Sequence, residues 1–327
     1  MTSSPPPLPA YPWACDAHPE TLSLDGWVAR WAGEHLEHLP DGTRDLYATM
    51  GLGRSVGVVL PYGSPERIRP MVLAFLYGTV LAGSCRDADP RETVRAADRA
   101  QELLLGAPPR PGDDGTLRLV ALAGRELRTL MPREFVTRYA DGLRDFLVHG
   151  TARESPYRRA GAVPPVAECL AIRAYSIGTH FALDLIEPVL ERPLPPAVAG
   201  HPVLARMRSR IIRMTALQNE IATVDRERPR GRHGDVMNVL LAAEDHWGLS
   251  AEQSHRYAVH LIQQAVEEFA FLRGALPDFG PDQDLVAESV ERIACVPGGW
   301  RRWYTETPLP SGTHPGDARL PTPPAAV

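Results

Sequence analysis

The stretch Leu217-Gln-Asn-Glu-Ile-Ala-Thr-Val-Asp-Arg-Glu227 spaces three oxygen-bearing side chains, Asn219, Thr223 and Glu227, at i, i+4 and i+8. With about 3.6 residues per turn, that spacing lines them up on one face of a helix. An amide oxygen, a hydroxyl and a carboxylate are hard ligands of the kind Mg²⁺ takes while keeping waters or phosphate oxygens. A plain solvated helix face is the alternative. Two observations weigh against it. The chain of 327 residues has only two asparagines, Asn219 and Asn238, both in this neighbourhood. Asparagine is also a poor interior helix residue, because its side chain competes for backbone hydrogen bonds. Gly234-Asp235-Val-Met-Asn238 follows and opens the next helix.

Working outward, apolar residues at three-and-four spacing predict helices over 66–81, 93–105, 132–150, 166–190, 203–226, 236–246, 251–272 and 284–295. The breaks between them carry helix-stop chemistry, as in Pro108-Pro109-Arg110-Pro111-Gly112, Pro193-Leu194-Pro195-Pro196 and Pro297-Gly298-Gly299. Ser250 and Gln253 form a capping-box pattern. Leu117 to Leu122 is the one strand candidate, and its flanks favour helix or loop. The fold class is all-α. The proline-rich ends, 1–12 and 308–327, read as disordered segments flanking one helical domain over 13–307.

Hydrophobic content of 44% with 23% charge is that of a globular chain, so whole-chain disorder is excluded. The net charge of −5 argues against a duplex nucleic-acid binder, which needs a basic face. Neither a signal-peptide pattern nor 18 consecutive apolar residues is found, which points to a soluble, cytoplasmic protein without a membrane partner. Cys15, Cys85, Cys169 and Cys295 are far apart and read as buried free thiols. All 35 basic residues are arginine, which rules out a Schiff-base lysine and a Walker-type phosphate lysine.

The Asn219–Thr223–Glu227 segment resembles the NSE motif of bacterial class I terpene synthases, (N/D)Dxx(S/T)xxxE, with Glu220 in place of the usual aspartate. The resemblance implies Mg²⁺ as cofactor and these three residues as its ligands. Leu170-Ala-Ile-Arg-Ala-Tyr-Ser-Ile-Gly178 is similar to the segment carrying that family's diphosphate-sensing arginine, here Arg173, with Ser176 and Gly178 at the helix break. Gly298-Gly-Trp-Arg-Arg-Trp-Tyr304 falls where the family carries an Arg-Tyr pair. The resemblance therefore assigns Tyr304 to substrate binding and catalysis beside Arg173, and the displaced arginine to Arg301 or Arg302. Where the family's aspartate-rich motif is expected, the chain reads Tyr77-Gly78-Thr79-Val80-Leu81, without a carboxylate. Asp87 and Asp89 are the nearest acids, and Pro90 favours a loop for them.

The implied fold is a helical bundle around a central apolar cavity, with aromatics such as Phe75 and Tyr77 lining it and attracting a carbocation through their ring faces. The implied function is Mg²⁺-assisted loss of diphosphate from a linear isoprenyl diphosphate, followed by cyclisation. The other readings are a protein of this fold that no longer ionises diphosphates, acting as a non-metal cyclase, ligand-binding protein or pseudoenzyme, and a helical interaction module with no small-molecule site. The implied partner is a prenyl diphosphate, with a possible homodimer.

Overall fold

The structure, a computed structural model, describes residues 9–13, 16–228 and 237–306. Among the described residues every regular element is helical. The chain opens with α1 (Thr21–His35), α2 (Asp41–Thr49) and α3 (Leu52–Val59), followed by α4 (Pro65–Cys85), α5 (Pro90–Leu104), α6 (Gly115–Leu130) and α7 (Arg133–Asp145). A π-helical segment, Phe146–Thr151, runs into α8 (Ala152–Ala160). Then come α9 (Val166–Ser176), the short α10 (Thr179–Ala182), a 3₁₀ segment over Leu183–Leu190 and α11 (Pro196–Ala199). The last four are α12 (Pro202–Glu227), α13 (Val239–Trp247), α14 (Ala251–Gly274) and α15 (Gln283–Glu306).

Local chemistry explains many of the starts. The Asp89 carboxylate accepts from the Arg91 amide ahead of Pro90, and Asp114 accepts from Leu117, so the one strand candidate begins a helix instead. Asn238 caps α13 through the Leu240 amide, and Ser250 with Gln253 makes the expected reciprocal capping box on α14. The periodicity noted above did not register α1 to α3 or α6.

Three expected helices differ from the structure. The segment 132–150 is α-helical only to Asp145 and then widens into the π segment. The segment 166–190 breaks at Gly178, whose φ of +73° is the left-handed region that glycine enters without a Cβ clash. The last helix does not stop at Cys295 but passes through Pro297-Gly298-Gly299 to Glu306. An interior proline costs about 3 kcal/mol in an isolated helix. Burial of Val296, Pro297 and Trp303 offsets it, and Gly299 lets the helix rest directly on the Val58 carbonyl of α3.

One continuous core runs from Leu24 in α1 to Val296 in α15. Among the described residues α4 is the one helix that by length and composition would suit a membrane span, yet 67% of its apolar window is buried inside the bundle. It is the bundle's core helix, which is why its sequence is so apolar. Cys85 and Cys169 are free and buried as expected, whereas Cys295 is disulfide-bonded, contrary to the free-thiol reading. Spacing along the chain carries no information about which thiols the fold brings together. Of the N-terminal stretch, Tyr11 and Trp13 pack on the core, and the Trp13 ring meets Phe269 edge-on at 4.9 Å. The proline-rich segments 1–8 and 308–327, and Gly234 with Asp235, lie outside the described residues.

A Cβ on Gly299 would sit 2.2 Å from the Val58 carbonyl oxygen. Gly299→Ala should therefore push α15 off α3 and lower stability by about 1–3 kcal/mol in urea unfolding. An unchanged midpoint would show that the contact does not set the seat of α15.

Candidate active site

The helix breaks aim side chains at a cavity of about 250 Å³ between α4, the π segment, α8, α9, α12 and α15. Phe75, Ala82, Phe146, Ile177, Phe181 and Trp300 supply much of its apolar lining. Phe75 stacks on Trp300 with ring centroids 5.5 Å apart and planes 19° from parallel, and Trp303 meets Trp300 edge-on at 5.0 Å. The polar lining includes Arg86, Glu154, Arg158, Arg173, Ser176, Asn219, Glu227 and Tyr304.

Arg173, at the C-terminal end of α9, organises this polar part. Its Nε donates to Glu220 Oε1 at 2.7 Å and its Nη2 to Asn219 Oδ1 at 2.7 Å. Its Nη1 donates to Ser176 Oγ at 2.9 Å and to Glu154 Oε1 at 3.3 Å. Asn219 Nδ2 in turn donates to the Tyr304 hydroxyl at 2.6 Å, linking α12 to α15. Burial opposes charge on Arg173, but Glu220, Glu154 and Glu227 outweigh it and hold the guanidinium firmly protonated. Burial likewise opposes ionisation of Glu154, yet Arg158 and Arg173 pull its carboxyl below the usual range. Glu220 goes the other way. Burial pushes it up to about 7, with Arg173 working against the shift and Glu227 adding to it.

On α12 the three proposed ligands hold the predicted register. Asn219 and Glu227 line the cavity, and Thr223 lies between them, 1% exposed. Glu227 Oε2 accepts from Asn238 Nδ2 at 2.9 Å, and the same amide group donates to the Glu220 carbonyl at 3.0 Å. Both asparagines of the chain are thus built into this site. The fit to a hard divalent cation is decided by Thr223, whose hydroxyl is buried without a hydrogen-bond partner. A buried orphan oxygen costs stability unless a ligand engages it. Its neighbours offer an amide oxygen and a carboxylate, so the donor set suits Mg²⁺. Among the described residues no three His, Cys, Asp or Glu side chains converge as a metal cage. A cation here needs further oxygens from its ligand.

Other expectations are corrected. Tyr77 is fully buried, shares a short hydrogen bond with the Tyr139 hydroxyl and does not line the cavity. It sits two residues from Phe75, about 200° around the helix, so only one of the pair can face inward. Arg301 and Arg302 are also absent from the lining, and Arg302 pairs with Glu306 at 3.0 Å. On α15 the inward stripe is Trp300, Trp303 and Tyr304, at i, i+3 and i+4, which turns both arginines aside. Asp87 and Asp89 are off the cavity, and Asp89 is occupied as the cap of α5. Glu154, Arg158 and Arg86 went unread because Glu154–Arg158 looks like an ordinary i,i+4 surface pair and Arg86 sits in an acidic turn.

The family model described as "Terpene synthase family 2, C-terminal metal binding" matches residues 79–268, which include Arg173 and the whole Asn219–Glu227 segment. This chain belongs to the bacterial class I terpene synthase family. Alpha-muurolene synthase of Coprinopsis cinerea is 22% identical over 308 residues, covering 90% of this chain and 71% of that protein. Several other curated relatives match over about half their length. Among solved structures, a point variant of cucumene synthase superposes with a TM-score of 0.74 at 25% identity, covering 91% of this chain and 98% of that one. The linalool/nerolidol synthase of Streptomyces clavuligerus, in complex with 2-fluorogeranyl diphosphate, gives 0.75 at 18% identity over 90% of this chain and 97% of that one.

Thr223→Val removes the orphan hydroxyl at nearly constant volume. The variant should be as stable as the parent or about 1 kcal/mol more stable, yet bind Mg²⁺ with diphosphate about 10–100-fold more weakly. Thermal unfolding and calorimetry read the two effects separately. An unchanged metal response would remove Thr223 from the ligand set.

Proposed function

We propose that the protein is a terpene synthase that takes a linear isoprenyl diphosphate, releases diphosphate with the help of Mg²⁺ and cyclises the resulting allylic cation. The observation that carries this reading is the orphan Thr223 hydroxyl between Asn219 and Glu227, beside a cavity whose other polar groups are organised by Arg173. Asn219, Thr223 and Glu227 would hold the cation. When bound, Mg²⁺ stabilises the negative charge that grows on the leaving diphosphate.

The chain's own groups account for the rest. Breakage of the allylic C–O bond leaves both electrons on the diphosphate oxygen, and Arg173 faces that charge with a guanidinium already fixed by Glu220 and Ser176. Tyr304, held by Asn219, offers its hydroxyl proton to the same group. The hydrocarbon chain lies against Phe75, Phe181, Trp300 and the other apolar walls, which exclude the water that would quench the cation. The ring faces of Phe75 and Trp300 attract positive charge. Every group named comes from one copy of the chain, so a homodimer would leave the site intact.

The test is incubation with C10, C15 and C20 prenyl diphosphates with and without Mg²⁺, reading volatile products and released diphosphate. Products are expected only with the metal. Glu227→Gln and Tyr304→Phe should each lower turnover, Glu227→Gln by about 10²–10³-fold. Arg173→Ala takes away the guanidinium partner of the buried Glu220, while Glu154 keeps Arg158, a loss of about 3–5 kcal/mol, so the other two variants decide the matter. Metal-dependent release unaffected by Glu227→Gln would refute the site, and no release from any substrate would refute the activity.

A further inference from the structure

The α4 wall of the cavity presents Thr79, Ala82, Gly83 and then Arg86. Thr79, Gly83 and Arg86 follow one another at i, i+4 and i+7, on one helix face. Among the described residues that face of α4 carries no carboxylate to hold a divalent ion. A guanidinium stands there instead. A second one comes from α8, where Arg158 Nη2 donates to Glu154 Oε2 at 2.6 Å while Arg173 holds the other oxygen of the same carboxylate. Both Glu154 oxygens are therefore engaged by arginines, which makes it their buried counter-ion. The Ser155 hydroxyl donates to the Ala88 carbonyl at 2.6 Å and fastens α8 to the turn just after Arg86. Among the described residues the charged lining comprises Arg86, Arg158 and Arg173 with Glu154 and Glu227, so the α4 and α8 side of the cavity is lined by two guanidinium groups.

A diphosphate group carries several negative charges on outward-pointing oxygens, and arginine's planar fork binds such oxygens in pairs. The chain has no lysine, so every side-chain contact of this kind falls to arginine, apart from histidine. We propose that Arg86 and Arg158 form a guanidinium grip that holds the diphosphate on the α4 and α8 side of the cavity without metal, leaving the Asn219–Thr223–Glu227 cation as the one ion that side chains at this site ligate. The grip rests on the reading of the cavity as a diphosphate site. Its signature is binding of inorganic diphosphate in the absence of any divalent cation.

Calorimetry on the full chain with inorganic diphosphate in EDTA tests it directly. The parent protein binds. Arg86→Gln and Arg158→Gln each weaken that binding about 10–100-fold, and Arg86→Lys recovers part of the loss by returning the charge without the fork. Arg273→Gln, which breaks an exposed pair with Glu291, binds like the parent. Circular dichroism and thermal unfolding identify any variant that has lost its fold, and the remaining Arg86 or Arg158 variant then decides. Parent protein that binds diphosphate only once Mg²⁺ is present overturns the grip, as does Arg86→Gln binding as tightly as the parent in EDTA. The two readings fail separately. Metal-free diphosphate binding that depends on Arg86, without turnover of any prenyl diphosphate, leaves the grip standing and removes the synthase. Turnover without metal-free binding does the reverse.

Discussion

The site depends on one buried guanidinium. Taking a charge such as Arg173 out of water costs several kcal/mol, and only good geometry with full hydrogen bonding offsets that cost. Here Glu220 on α12 and Glu154 on α8 supply the charge, while Asn219 and Ser176 supply further acceptors. Four contacts from three stretches of chain thus converge on a single side chain, and Asn219 extends the network to Tyr304 on α15. None of these elements can shift alone without leaving a charge or donor unpaired in a dry place. The network acts as a spatial reference for the polar part of the cavity.

The irregular backbone around that reference follows from the same demand. Helix α9 must end where Arg173 can reach both glutamates, and Gly178 in the left-handed region ends it there. The π segment before α8 brings Gly150 against Ser176 so closely that a Cβ would lie 2.7 Å from the Ser176 backbone. Single π turns commonly mark functional sites, because the extra residue re-aims the side chains that follow. In this chain the residues that follow are Glu154 and Arg158.

The same cavity departs from its family along α4. An apolar core helix carries Thr79 and Gly83 towards the ligand space where the resemblance calls for carboxylates. The balance of charge moves from acid-plus-metal towards arginine, in a chain that uses no lysine at all. The α12 side keeps a hydroxyl with no internal partner, which a folded protein retains at some cost in stability. The orphan Thr223 hydroxyl thus marks the α12 side of the site and Arg86 the α4 side.

Properties that repeat along a single helix were legible in the sequence. The i, i+4, i+8 spacing of Asn219, Thr223 and Glu227 survived intact because the 3.6-residue period is set by the backbone itself. The all-α class, the Ser250 capping box and the inward position of Phe75 were visible for the same local reason. Where the period was not applied, the reading failed: Tyr77 cannot share the face of Phe75, and Arg301 and Arg302 cannot share the stripe of Trp300, Trp303 and Tyr304. Other features could not be read from the period at all. That α15 crosses Pro297 follows from its seat on α3, a contact between distant parts of the chain. That Glu154 and Arg158 face the cavity, and that Arg86 matters more than Asp87 or Asp89, became evident only once α4, α8 and α9 were packed together. A lone helix pairs charges at i and i+4 in water, where they are worth little. Only tertiary burial decides which of those pairs loses its solvent and becomes a site.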